Sequence, residues 1–533
     1  MQGRRSRQFD AFSVAELAPS LIEPDSFYAL LHRLGPVLIS DDDFSEMYAD
    51  NVGRPSLPPS LLSQVLLLQE HDGVSDREAA RRVRADLDWK YALHLPLDYQ
   101  GFAHSNLAHF RARLLVHNLE CISFDKVNEL AVKLGVLDPE APRAIDSSHI
   151  FGAAAVQDTY TLLRTALRDL LVTLLERDRQ AAEALIEELD LSDYQSSEKP
   201  EIDWADAEAR AAWLKTIVAD GRRLLEEIDA TPLVDAGVRE AASLLTQILN
   251  QDITEGDDGE PEIKQGVEKD RVVSTEDSEM RHGRKSSSLR FDGYKVHVAE
   301  ELETELITDI EVTPGNVHDS EPVEEMLTDS AERLGGAPRA IIGDSHYGST
   351  DLRVDLAEHG IDVIAKLPGI AFSKGGYFTK ADFDVDLEAE AVTCPAGHTT
   401  QKYYRARDDK GRRTRRYQFP ATACNACALK ARCTRSDQGR TILLNYHEET
   451  LQKAYAHNQS DAFKATYRRR ALVERKLSEL LWRHGLRFGR FIGTRKTRLQ
   501  ALWTAAVVNL KRLGKLLAEA FETPEEAILA AAA

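Results

Sequence analysis

Two short apolar runs, Arg143-Ala144-Ile145-Asp146 and Ala340-Ile341-Ile342-Gly343-Asp344, each close on an aspartate, and a leucine-rich stretch of different periodicity lies between them. The runs read as buried strands. Leu162, Leu163, Leu167, Leu170, Leu171, Leu174 and Leu175 instead recur at helical spacing, and a second helical pattern covers residues 205–228. A strand-like run that ends at Asp146 therefore gives way to helices, and a sheet is taken up again later. Its continuation shows as period-two segments, Tyr294-Lys295-Val296-His297-Val298 and Leu306 to Val312, with a helix over 350–359 closed by Gly360 and a further strand over 363–367. The chain is expected to be α/β, with a helical insertion inside its sheet.

The formal net charge of −21 argues on its face against a nucleic-acid partner, because DNA affinity rests mainly on Lys and Arg. The average hides a segregation. Residues 463–515 hold fifteen Lys and Arg against Glu474 and Glu479, so that stretch alone is strongly cationic. Within it Arg487, Arg490, Arg495 and Lys496 are the candidate phosphate contacts. No run of about eighteen apolar residues occurs, and Arg4, Arg5 and Arg7 are not followed by an apolar stretch of leader length. The expected location is cytoplasmic.

Residues 10–135 read as helical. Ser75 and Glu78 form a candidate capping box, and the segment behind them sets Arg77, Arg81, Arg82 and Arg84 beside an Ala79, Val83, Leu87 stripe. A solvated basic face and a DNA-reading helix fit that pattern equally. The basic segment Arg281-His282-Gly283-Arg284-Lys285 reads either as a solvated loop or, favoured slightly, as a clamp in which Arg284 and Lys285 lead DNA toward Asp146.

A carboxylate at a strand end faces a crevice where ligands bind, although the commoner role of any single such Asp is in a turn or helix cap. Glu474 alters the weighing, because it lies in a helical stretch crowded with cations. Tyr467, Arg470 and Glu474 are spaced i, i+3, i+7 and so share one helix face. An Arg470–Glu474 ion pair is the simplest reading of that spacing, and a site is compatible with it.

At this point the chain resembles the RNase-H-like, DDE-type transposases of bacterial insertion sequences, and among them the insertion-sequence eleven-eighty-two family. The resemblance is carried by Ala144 to His149, Met280 to Ser286, Phe291-Asp292-Gly293-Tyr294-Lys295, Thr313 to Asp319, Gly343-Asp344-Ser345-His346-Tyr347-Gly348 and Tyr467 to Glu474, in that order, with residues 40–115 similar to the family's N-terminal helical domain. It implies a mixed-sheet core with Asp146 on the first strand, Asp344 just after the fourth and Glu474 on a later helix, together holding two magnesium or manganese ions. Tyr467 and Arg470 would then position a phosphate. The implied partners are the element's terminal inverted repeats and target DNA, and the implied assembly on DNA is a homodimer. Asn316, His318 and Asp319 are expected to shape their loop or support the site from behind rather than to bind metal. Where related signatures carry Lys or Arg seven residues beyond the Glu, this chain has Leu481; Lys476 and Arg483 are the nearby cations. A non-catalytic DNA-binding regulator and a hydrolytic nuclease on the same fold are the competing readings.

Cys394, Cys424, Cys427 and Cys433 fall in one short segment, with a Cys-x-x-Cys pair at knuckle spacing, His398 as a spare ligand and a basic stretch from Arg405 to Arg416 between them. Four thiolates suffice for one structural zinc. The expected organisation is an N-terminal helical, DNA-binding domain over 1–135, a catalytic core over 136–150 and 271–370, an acidic helical insertion over 151–270, a zinc-knuckle-like insertion over 371–445 and the core's C-terminal helices over 446–533.

Overall fold

Arg143–Phe151 (β1) is buried along nearly its whole length, paired on one side throughout and on the other at Arg143 and Ala144. The computed structural model describes residues 1–5, 11–49, 53–196, 198, 200–230, 235–266, 268–285, 288–367, 376–408, 411 and 413–520. The other strands of this sheet are Arg281–Arg284 (β2), Arg290–Glu301 (β3), Ile307–Pro314 (β4), Ala340–Ile342 (β5) and Asp362–Ile364 (β6). The order runs β2-β3-β1-β5-β6, with β4 also paired to β3. β3 is antiparallel to β1, β2 and β4, while β1, β5 and β6 are parallel. This is a mixed sheet of the RNase-H-like kind.

Both faces of the sheet are covered, as parallel strands require. On one face Ile145, Ala299 and Ile341 meet Val323, Leu327, Leu352 and Leu356 of the helices Val323–Leu334 and Thr350–Glu358. On the other, Val296, Val298 and Val312 join Leu66, Val83 and Trp89 of the N-terminal helices and Val507, Leu510 and Leu513 of the last helix, Thr494–Ala520, in one continuous core. Asn509 ties the three parts together. Its amide nitrogen donates to Asn128 Oδ1 at 2.8 Å and to the Ile307 carbonyl at 2.7 Å, and its oxygen accepts from the Ile307 amide at 2.8 Å.

The leucine-rich stretch is the helix Thr159–Arg177, capped by Asp158. It packs with Ala207–Asp229 and Ala236–Asp252 around a separate core that includes Leu167, Leu170, Leu224 and Leu245. The cysteine segment folds as two small antiparallel sheets around Phe383, Val392, Tyr417, Phe419, Ile442 and Leu444.

Three local expectations are corrected. β1 does not stop at Asp146; Ser147, Ser148 and His149 continue it because β3 pairs with it residue for residue as far as Phe151. The basic segment is not a loop, since β2 and β3 form a hairpin over it. At Ser75 half of the capping box is present: its hydroxyl accepts from the Glu78 amide at 3.3 Å, while the Glu78 carboxylate turns to Arg81 and Arg82. Arg412, Ser286 and the alanine-rich tip beyond 520 lie outside the described residues.

Candidate active site

Asp146 is the fourth residue of β1, opposite Val298 of β3, and one of its oxygens accepts from the Ser147 amide at 2.8 Å. Asp344 follows β5 and caps a single helical turn, accepting from the His346 amide at 2.8 Å. Glu474 stands on the helix Ala471–Ser478, which packs against β1. Arg470 joins the last of these to the first. Its guanidinium lies 2.7 Å from a Glu474 oxygen and 3.7 Å from an Asp146 oxygen.

Burial raises the Asp146 carboxyl to about 6, and the charge of Asp344 adds to the rise, while the Ser147 amide, Lys285 and Arg470 oppose it. The two aspartates thus share one electrostatic environment, and Lys285 reaches it from the β2–β3 hairpin. Tyr467 belongs to the same face: Arg470 lies over its ring at 5.8 Å and Lys366 at 5.0 Å.

Behind the carboxylates stands a layer of charged and aromatic groups. Lys295 donates to Asp319 and to the Val317 carbonyl, both at 2.7 Å. Burial pushes the Asp319 carboxyl up, but the Lys295 bond and charge outweigh it and leave the group below its ordinary range. His346 lies 3.3 Å from Asp344 and 3.5 Å from Asp319, with the His318 ring at 5.9 Å. Asn316 points elsewhere, to the Lys269 carbonyl and the Asp270 side chain at 2.7 Å each. Tyr347 is fully buried, with its hydroxyl beside Ser147 and facing the charges of Asp146, Asp319 and Asp344. Tyr347, His346 and Lys295 were not singled out from the sequence. The first two follow Asp344 directly, yet only the closed sheet shows where they point.

The cations expected to grip DNA separate into two groups. Arg284 and Lys285 are exposed. Arg487 is buried and donates to the His149 carbonyl at 2.6 Å, whereas Arg490 and Arg495 are exposed while pairing with the buried Glu70 at 3.0 Å and Glu120 at 2.9 Å. Lys496 is exposed. Lys476 is buried beside Glu479, and a π-helical turn at Glu479–Arg483 carries Leu481 into the core and leaves Arg483 in solvent. Among the described residues no three His, Cys, Asp or Glu side chains are grouped tightly enough to hold a metal ion as they stand, and no helix is long and apolar enough to cross a membrane.

Two families, each described as "Transposase DDE domain", match residues 264–369 and 393–514, and a "Transposase domain (DUF772)" matches residues 18–113. The chain belongs to the DDE-type transposases of insertion sequences. No curated protein and no solved structure matches it. In this transposase the first DDE match spans β2 to β6 with Asp344, and the second spans the four cysteines and Glu474. Asp146 lies outside all three matched stretches, and the narrower eleven-eighty-two assignment rests on motif resemblance alone.

Proposed function

We propose that this transposase cleaves DNA at the ends of an insertion sequence and joins them to target DNA, with Asp146, Asp344 and Glu474 as the reaction centre. The observation that carries the reading is Arg470. One guanidinium lodges between Asp146 and Glu474, and burial with the added charge of Asp344 raises the Asp146 carboxyl, so a strand, a helix and a cap direct negative charge at one place that calls for a cation.

DDE transposases generally use divalent ions, and the donors here suit them. Three carboxylates offer hard oxygens of the kind magnesium and manganese prefer. When bound, two such ions would activate the attacking oxygen and stabilise the leaving one. The remaining work belongs to side chains of this chain. Arg470 is planar, already desolvated against Tyr467 and able to meet a phosphate with two parallel hydrogen bonds, so it would hold the scissile phosphate once released from Glu474. Arg284 and Lys285 would seat the DNA backbone beside β1, and Lys295 and His346 hold Asp319 and Asp344 in place. Two copies, one on each terminal repeat, would form the assembly.

Asp146→Asn, Asp344→Asn and Glu474→Gln should each abolish strand cleavage and leave affinity for terminal-repeat DNA within about twofold, because they remove ion ligands and not phosphate contacts. The measurement is a cleavage assay on a duplex carrying the element's end, paired with binding in calcium. Cleavage at a near wild-type rate in any one variant would take that residue out of the centre.

A further inference from the structure

The four cysteines of residues 376–445 reach one small cavity from three separate turns. Cys394 opens a tight turn in which its amide donates to the His398 carbonyl and its carbonyl accepts from the Gly397 amide, both at 2.8 Å. Cys424 and Cys427 sit where the short helix Ala421–Asn425 ends, and Cys433 closes the single turn Lys430–Cys433. That turn resolves the irregular spacing: it doubles the chain back so that a cysteine six residues past Cys427 returns to the same place. All four line a cavity of about 20 Å³, the space of one small sphere. They are free thiols and partly buried.

The backbone around them is arranged for sulfur carrying negative charge. The Leu429 amide donates to Cys427 Sγ at 3.3 Å and the Arg440 amide to Cys424 Sγ at 3.4 Å. Arg440 also binds the Cys433 carbonyl at 3.1 Å, which places a guanidinium beside the group. Amide-to-sulfur bonds of this kind are the ones that metal-bound sulfurs accept from the chain around them.

A second observation is energetic. Among the described residues the core cluster of this region holds six buried apolar side chains, little for two sheets that also carry opposed arginines, Arg407 facing Arg413 and Arg405 facing Arg415, the last paired with Glu390. Facing like charges destabilise a ribbon, and small folds with little core rely on staples. We propose that Cys394, Cys424, Cys427 and Cys433 bind one structural zinc ion as a tetrathiolate that staples this region. Zn–S bonds of about 2.3 Å draw the sulfurs inward onto the ion, and each thiol gives up its proton on binding.

The test is metal analysis of the full chain purified without chelator. About one zinc per chain is expected, falling at least tenfold in Cys424→Ser and Cys427→Ser and unchanged in Cys121→Ser and Asp146→Asn. Because the serine variants can fail to fold, wild-type protein is also loaded with cobalt. Intense visible bands and sulfur-to-cobalt charge transfer mark tetrahedral thiolate ligation. Zinc-free protein whose cobalt spectrum shows only oxygen ligation, or four cysteines recovered as two disulfides under non-reducing conditions, would overturn the site. Neither readout uses DNA cleavage, so failure here and failure of the proposed activity are separable.

Discussion

Asp146 carries a pKa near 6 because ionising it means placing charge in a largely buried strand beside a second carboxylate. The sign of the effect on stability follows. A carboxyl raised from 3.8 to about 6 binds its proton more tightly folded than unfolded, so stability is greatest below pH 4 for this group and falls as pH rises through 6. At pH 8 the ionised side chain is a cost, on the order of 1–3 kcal/mol. Asp146→Asn should therefore melt higher than wild type at pH 8, by an amount that shrinks toward pH 4, while losing cleavage. A lower melting temperature at pH 8 would contradict the burial cost. Cleavage by the wild type should rise with pH through about 6, and magnesium added at pH 6 should release protons in a pH-stat titration. Burial, and then the charges of Asp146, Asp319 and Asp344, hold the neighbouring Tyr347 hydroxyl in its neutral form. Asp146, Asp344 and Glu474 could be picked out of the chain because each sits in a short motif of distinctive composition. The importance of Tyr347 and Lys295 comes from where β3 and β5 meet β1, which no local pattern encodes.

The strand that carries Asp146 is anchored at its first residue. Arg143 is wholly buried, with its guanidinium bonded to Asp309 at 2.9 Å, Ser330 at 2.7 Å and the Pro139 carbonyl at 2.9 Å, and Thr308 donates to the same Asp309 carboxylate at 2.6 Å. Removing one partner of a buried pair leaves a bare charge. Arg143→Ala is expected to cost about 3–5 kcal/mol, whereas Arg143→Met combined with Asp309→Leu should cost much less. Urea unfolding of the single and double variants decides it; equal losses would mean that packing, not charge, anchors the strand. The same strand shows how far local patterns reach. Leucine spacing in Thr159–Arg177 sufficed to find a helix because that helix buries one stripe in a core of its own. Ser147-Ser148-His149 looked like a strand end because polar residues seldom occupy a buried strand. They do so here because β3 satisfies their backbone and Arg487 bonds the His149 carbonyl. The β2–β3 hairpin was hidden likewise. Gly293, at φ +147, lies so near the Ile150 carbonyl that a Cβ would stand 2.2 Å away, a requirement that belongs to β1 and is invisible in the hairpin's own residues.

Across the whole molecule part of the excess of cations in residues 463–515 is paired with carboxylates of the same chain. Arg490 with Glu70, Arg495 with Glu120 and Arg498 with Glu311 pin the last helices to the N-terminal helices and to β4. DNA affinity should depend instead on exposed cations near Asp146. The double variant Arg284→Ala, Lys285→Ala should flatten the salt dependence of binding by about 0.9 in slope for each true phosphate contact, and Arg490→Ala with Arg495→Ala should leave the slope unchanged while lowering the melting temperature. Binding titrations over a range of salt, in calcium, give the comparison; coincident slopes for the hairpin variant and wild type would move the DNA path elsewhere. The shared core has a further consequence, for the order of events during synthesis. Leu66, Val83 and Trp89 leave the ribosome long before their partners Val507, Leu510 and Leu513, which lie far later in the chain. Contacts between such distant parts of a chain form late and leave apolar surface open until they do. The nascent transposase therefore keeps this core open until the helix Thr494–Ala520 has been made, and a message cut short before Thr494 should yield a protein for proteases rather than a partial enzyme.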